Sequence, residues 1–268
     1  MNNSGRPDDR LLDCESLDVR VPGRQLVESL NFELRRGEVV AVLGRNGTGK
    51  TLTLTTLAGL RTPDAGVVRL LGSDIAQVKR RQVARSLALL PQIIDDIFPA
   101  TVMDTALIGR HPHIEPLGWE SREDYAAARA ALQKAGLDSL AERDIFTLSG
   151  GERRRLAIAQ VLTQAPDIYL LDEPTNHLDP QHQLDTLQVF RRVADDGAGV
   201  IASMHDVNLA VRFADRCLLL FGDGRWRLGE TREILDEDTL GELYATQMEA
   251  VTWRSQKLFV PASGNPPA

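Results

Sequence analysis

The chain has 268 residues, 43% of them hydrophobic, with 31 Lys and Arg against 38 Asp and Glu and a formal net charge of −7. That length suits one large domain or two small ones with a substantial core, and the acidic balance argues against a broad electrostatic footprint for nucleic acid. The longest apolar runs, such as Leu218 to Phe221 and Val39 to Leu43, fall far short of the roughly 20 residues that cross a bilayer, so the chain is not expected to span a membrane itself.

Met1 to Arg10 contains no apolar stretch of the signal-peptide kind, which predicts that the protein stays in the compartment where it is made. Cys14 and Cys217 stand far apart with no metal-type spacing, and they read as small core residues in a reducing compartment. Residues 13–43 alternate polar and apolar positions in two β-like runs, Glu15 to Val21 and Leu26 to Leu34, before the buried strand at Val39 to Leu43. A glycine loop follows, Gly44-Arg45-Asn46-Gly47-Thr48-Gly49-Lys50-Thr51, and opens into a helix. Arg61 to Gly66 is a turn signal, and Val67 to Gly72 another strand. Leu87 to Leu90 reads as a strand stopped by Pro91.

From Gln92 to about Leu148 the chain changes character, with Pro99, Pro112 and Pro116 in an irregular stretch and an Ala-rich helix at about Arg122 to Lys134. This predicts a helical insertion into an α/β core. A second helix follows Gly150-Gly151, with Leu156, Ala159 and Leu162 on one face. Residues 167–172 form an apolar strand, Asp185 to Val193 a helix and Gly199 to Met204 a further strand; such alternation implies a mainly parallel sheet covered on both faces. Leu218 to Phe221 and Trp226 to Leu228 flank Gly222-Asp223-Gly224 as a hairpin. Leu235 to Val251 reads as helical, and residues 261–268 as a loose tail.

Two constellations carry chemistry. Glycines in the loop allow close approach to a phosphate chain, so backbone N–H groups and a helix N-terminus can point at one anion. Lys50 supplies a cation to the β- and γ-phosphates, and the Thr51 hydroxyl can ligate Mg²⁺. Asp172-Glu173 sits at the C-terminal end of a buried strand, the edge where α/β sheets bind ligands. Asp172 is placed to hold a water of Mg²⁺ beside Thr51, and Glu173 to orient and deprotonate an attacking water. Leu148-Ser149-Gly150-Gly151-Glu152 is a second glycine-bearing turn at a helix start, able to present N–H groups and a hydroxyl to an anion.

The order of Gly44 to Thr51, Gln92 after a strand, Leu148 to Glu152, Asp172-Glu173, Asn176-His177-Leu178-Asp179 and His205 after a strand resembles that of ABC-type ATPases, from about Leu11 to about Val251. The resemblance implies an α/β fold: a P-loop NTPase core with a mainly parallel sheet, an N-terminal antiparallel β subdomain, and an inserted α-helical subdomain at about 93–164. The ATP-binding domain would cover 11–251, with 252–268 as a C-terminal tail. Gly44, Arg45, Asn46, Gly47, Thr48, Gly49, Lys50 and Thr51 would cradle the phosphates of ATP. Gln92 would reach Mg²⁺ and the attacking water, Glu173 would be the general base and His205 would contact the γ-phosphate. Ser149, Gly150, Gly151 and Glu152 would bind a nucleotide held by a second subunit in a head-to-tail homodimer, with Asp179 at the seam.

The sequence departs from that pattern in places. Many relatives carry an aromatic residue against adenine where Val21 stands; its loss predicts weak base discrimination, although Arg20 or Arg24 can offer a guanidinium plane in place of the ring. Glu152 replaces the commoner Gln, and Arg153-Arg154-Arg155 reads either as a balance for its carboxylate or as a solvated helix face. The stretch Ala106 to His113, with Asp172 to Asp179 and His205 to Ala210, is similar to the ATPases of importers for iron-siderophores, haem and cobalamin. His111 and His113 lack a third ligand at metal-type spacing and read as docking-loop residues. The resemblance thus implies a peripheral subunit on the cytoplasmic face of a membrane, gripping permease subunits through about 93–120 and serving a substrate-binding protein indirectly. No nucleic acid is expected. A soluble ABC-type clamp acting in DNA repair or cofactor assembly is the alternative.

Overall fold

The computed structural model describes residues 9–93, 99–254 and 256–262. β1 (Arg10–Val21) turns through Pro22 and Gly23 into β2 (Arg24–Arg35), and the two pair antiparallel. β3 (Val39–Leu43) leads through the glycine loop to α1 (Lys50–Leu57). β4 (Ala65–Leu70) and β5 (Ser73–Asp74) then return to β1, closing an antiparallel sheet of order β2-β1-β4-β5. α2 (Arg80–Ser86), which the sequence pattern does not signal, feeds β6 (Leu87–Leu90).

The helical insertion contributes α3 (Val102–Leu107), α4 (Arg122–Lys134) and α5 (Gly150–Gln164). The chain re-enters the core as β7 (Ile168–Leu171), α6 (Pro180–Asp195), β8 (Gly199–Ser203), α7 (Val207–Phe213), β9 (Arg216–Leu220) and β10 (Trp226–Glu230). The second sheet has the order β10-β9-β3-β8-β7-β6, parallel except for the β9–β10 hairpin at its edge. The mainly parallel core and the N-terminal antiparallel sheet are as expected.

β3 is buried at every position because its two faces enter two different cores. Val40 and Val42 join Leu170, Ile201 and Leu218 against the antiparallel sheet, while Val39, Ala41 and Leu43 join Leu171, Ala202 and Leu219 beneath the helices. Each leucine so buried contributes about 2 kcal/mol of transfer free energy. This double packing explains why β3, β7 and β8 read as unbroken apolar runs, and it holds their C-terminal ends rigidly in line.

Within the insertion, Ser121 and Asp124 form a capping box at the start of α4. The Arg110 guanidinium donates to the Asp124 carboxylate at 2.7 Å and to the Thr163 carbonyl at 3.2 Å, tying the end of the α3 segment and α4 to α5. The Ser121 backbone N–H, then Arg110, hold the Asp124 carboxyl down at about 2.

The single helix expected over Leu235 to Val251 is broken. α8 (Thr231–Ile234) and α9 (Glu237–Tyr244) are separate, and Ala245 at φ 52° ends the second in the left-handed region. A hairpin follows, β11 (Met248–Trp253) and β12 (Gln256–Pro261), so the segment expected as a tail from residue 252 begins as sheet. Val251, Thr252, Trp253, Phe259 and Val260 suit a strand there, and the Asn208 side chain on α7 bonds both the N–H and the carbonyl of Phe259, at 2.8 and 3.1 Å. Residues 1–8 and 263–268, and residues 94–98 in the expected docking stretch, lie outside the described residues. Among the described residues no helix is long and apolar enough to cross a membrane.

Candidate nucleotide site

β3, β8, β7 and β6 are adjacent and parallel, so their C-terminal ends lie along one edge of the sheet. Gly44 follows β3, Asp172 follows β7, Gln92 follows β6 and His205 follows β8. Sheet topology therefore gathers at one edge four loops that lie far apart in sequence.

The glycine loop is shaped by contact and by conformation. At Gly44 a Cβ would lie 2.5 Å from the Leu220 carbonyl oxygen and 2.6 Å from the Thr48 hydroxyl, so no larger residue fits. Gly49 caps α1 at φ 102°, a region that only glycine enters cheaply. Lys50 is buried, and its ammonium donates to the carbonyls of Gly44 at 2.9 Å and Arg45 at 3.3 Å. That burial lowers its pKa, while the nearby carboxylates of Glu173 and Asp172 act in the opposite sense. A cavity of about 350 Å³ lies over the loop, lined by Val21, Arg24, Asn46, Gly47, Gly49, Lys50, Thr51, Gln92 and Glu173. Of the two arginines expected near the base, Arg24 lines it, with its Nε donating to the Gly222 carbonyl at 2.8 Å, whereas Arg20 is held by Asp18 at 2.7 Å.

Glu173 leaves β7 at φ 50°, a sharp turn that re-aims its buried side chain. Its Oε2 accepts from the Gln92 amide at 2.9 Å and the Asn176 amide at 3.0 Å. Its Oε1 lies 2.5 Å from His205 Nε2, which carries the proton if it donates to the carboxylate. On β8 the Ser203 hydroxyl donates to Asp172 Oδ1 at 2.6 Å and accepts from the Glu173 backbone N–H at 2.9 Å. Asp172 Oδ2 is buried without a protein partner.

That orphaned oxygen, and the Thr51 hydroxyl and Gln92 amide oxygen on the cavity lining, are hard oxygen donors of the kind that Mg²⁺ takes. Among them is a single carboxylate. No cluster of three or more His, Cys, Asp or Glu of metal-binding type occurs among the described residues, and His113 Nε2 instead lies 2.9 Å from the Gln164 carbonyl.

Ser149, Gly150, Gly151, Glu152 and Asp179 stand away from the cavity lining. Ser149 and Glu152 close a capping box at the start of α5: the Glu152 carboxylate accepts from the Ser149 backbone N–H at 2.7 Å, and the Ser149 hydroxyl accepts from the Glu152 N–H at 3.2 Å. The carboxylate at Glu152 thus works as a cap, and the Ser149 bonds hold its pKa below the usual range. Asp179 caps α6 through the His182 N–H at 2.9 Å.

The three arginines after Glu152 do not form a solvated face. Arg153 donates to the carbonyls of Leu148 and Phe146, and Arg155 to those of Ala135 and Gly136. Arg154 is only 3% exposed and donates to five carbonyls in the loops after β6 and β7. Glu152 meets Arg143 at 3.8 Å. Sequence reasoning also missed Ser203, whose one visible signal is a hydroxyl at the end of an otherwise apolar strand.

Residues 27–176 match the family model of the ABC transporter. The hemin import ATP-binding protein HmuV of Gloeobacter violaceus is 43% identical over 222 residues, 80% of each chain. The cobalamin import ATP-binding protein BtuD of Halobacterium salinarum is 38% identical over 231 residues, 85% of this chain, which spans only 57% of the length of that relative. A solved ABC transporter assigned to the metal-chelate type, in an inward-facing conformation, superposes with a TM-score of 0.82 at 30% identity, covering 94% of this chain and 97% of the other.

Proposed function

Because the chain belongs to the ABC transporter family, we propose that it is the ATP-hydrolysing subunit of an importer, working as a head-to-tail homodimer beneath separate membrane subunits on the cytoplasmic face. One observation carries the enzymatic part: Glu173 is oriented by Gln92, Asn176 and His205 within the cavity that also exposes Lys50 and the glycine loop. The loop N–H groups and the start of α1 receive the phosphates of ATP, and Lys50 exchanges its two backbone carbonyls for phosphate oxygens. Mg²⁺, held by Thr51, Gln92 and the free oxygen of Asp172, would neutralise phosphate charge during transfer. In this reading Glu173, held by Gln92 and His205, accepts the proton of the attacking water, Gln92 positions that water, and His205 turns from Glu173 to donate to the γ-phosphate.

The cavity is open above the loop. Ser149, Gly150, Gly151 and Glu152 lie outside it at the exposed end of α5, and Asp179 at that of α6. A second copy placed head to tail brings these residues onto the nucleotide from the other side, so that ATP completes both sites. The stretch at about 93–120 carries exposed Ile93, Leu117 and Trp119, an apolar surface suited to cytoplasmic helices of a permease. The names of the relatives above favour a cargo of haem or cobalamin type, and the metal-chelate type of the solved transporter favours an iron-siderophore equally.

The test is recovery of partners. Affinity-tagged Glu173→Gln protein, purified with ATP from detergent-solubilised membranes, is expected to bring down a polytopic membrane protein in stoichiometric amount. Exclusively soluble partners would reject the importer reading and favour the clamp.

Val21 supplies a separate expectation. With an aliphatic residue beside Arg24 at the mouth of the cavity, the base has little aromatic surface to stack on. ATP and GTP are therefore expected to be hydrolysed with kcat/KM values within about tenfold of each other, and Val21→Tyr to widen that gap by about 1 kcal/mol. Equally strict ATP preference in both proteins sinks the idea.

A further inference from the structure

β6 and β7 run side by side until the Asp172 N–H meets the Leu90 carbonyl at 2.9 Å; beyond that bond the two chains diverge towards Gln92 and Glu173. Arg154 of α5 takes over where the ladder stops. Its Nη1 donates to the Pro91 carbonyl at 2.7 Å and the Gln92 carbonyl at 3.4 Å, and its Nη2 to the carbonyls of Asp172 at 2.6 Å and Glu173 at 2.7 Å. Its Nε completes the set on the Pro174 carbonyl at 3.4 Å. One planar fork thus places Nη1 on the loop after β6 and Nη2 and Nε on the loop after β7.

We propose that Arg154 is a positioning residue for hydrolysis, a buried clamp that sets Gln92 against Glu173 and links both to the exposed start of α5. The inference rests on the ATPase reading above and assigns a device within that site. A buried cation is costly, and here burial pulls the guanidinium down to about 10 although Asp172 and Glu173 act to raise it. Its partners are all backbone carbonyls, so its hydrogen bonds fix main-chain positions and leave both catalytic side chains free for their own contacts. Ser149 caps α5 five residues before Arg154, about 7.5 Å along the axis. A shift of α5 as its N-terminus meets a nucleotide on the second subunit therefore carries Arg154 with it, and alters the 2.9 Å contact between Gln92 and Glu173. Catalysis in each site would depend on engagement of the opposite one.

The comparison is between wild type, Arg154→Lys and Arg154→Met, as full chains, by calorimetric ATP Kd, steady-state kcat and thermal unfolding. No Arg154 atom lines the nucleotide cavity, so Kd is expected to stay within about twofold, while misplacement of the water-orienting pair lowers kcat about tenfold in Arg154→Lys and about 30-fold in Arg154→Met. Lysine keeps the charge but has one nitrogen to offer two loops. An Arg154→Lys protein with wild-type kcat would show that buried charge alone suffices and would overturn the clamp, as would a loss that appears wholly in Kd. If Arg154→Met does not fold, Arg154→Lys alone decides by the same split. A wild-type chain that hydrolyses no ATP overturns the ATPase reading and the clamp together; an active wild type with a fully active lysine variant overturns the clamp only.

Discussion

Glu173→Gln is expected to lower ATP hydrolysis about 1,000-fold, about 4 kcal/mol in the barrier, while leaving ATP bound. The substitution is nearly isosteric, but an amide cannot take a proton from water at neutral pH. Glu173 is 7% exposed and its oxygens accept from Gln92, Asn176 and His205, so the replacement also leaves one of these donors facing an amide nitrogen. None of the three contributes to the core, and the Glu173 backbone N–H remains on Ser203. The variant should therefore keep the wild-type unfolding temperature within a few degrees. With hydrolysis stopped and both sites occupied, ATP should hold two copies together as a dimer on sedimentation, which added Mg²⁺ and hydrolysis dissolve in wild type. A variant that stays monomeric under saturating ATP would falsify the composite site, and one that hydrolyses ATP at the wild-type rate removes Glu173 from the role of base.

Much of this edge was legible in the sequence because its parts are local. A glycine loop between an apolar strand and a helix, and two carboxylates after another apolar strand, each declare their chemistry within about ten residues, and parallel topology does the rest. What escaped depends on contacts between distant segments. Ser203 meets Asp172 only because β8 lies beside β7. Arg154 was hidden by its neighbours, since three consecutive arginines read as a balance for the Glu152 carboxylate or as a solvated face. The helical period nevertheless put it on the same side as Ala157, Ile158 and Val161, all of them buried. The C-terminal hairpin was missed because Glu237 to Tyr244 carries a true helical pattern, and only the left-handed turn at Ala245 separates it from the strands that follow. Alanine gives no warning of positive φ, as a glycine there would have done.

Lys50→Ala is the counterpart of Glu173→Gln: binding should fail where the other variant traps it. The Lys50 ammonium is buried beside Asp172 and Glu173, and it is the loop cation whose donors already converge on the Gly44 and Arg45 carbonyls. Its removal leaves a triphosphate facing two carboxylates without that compensation, and it strips a charge-assisted hydrogen bond worth about 3 kcal/mol in a desolvated site. ATP affinity is thus expected to fall at least about 100-fold. The fold should persist, because the lysine bonds only its own loop, and the Arg45 carbonyl keeps the Thr48 hydroxyl at 2.9 Å. Calorimetric titration with Mg-ATP, run beside a thermal unfolding curve without nucleotide, separates the two effects. Unchanged unfolding with lost binding places the lysine on the phosphates. Binding within threefold of wild type would mean that the loop N–H groups alone hold the nucleotide, and the phosphate role assigned to Lys50 would fall.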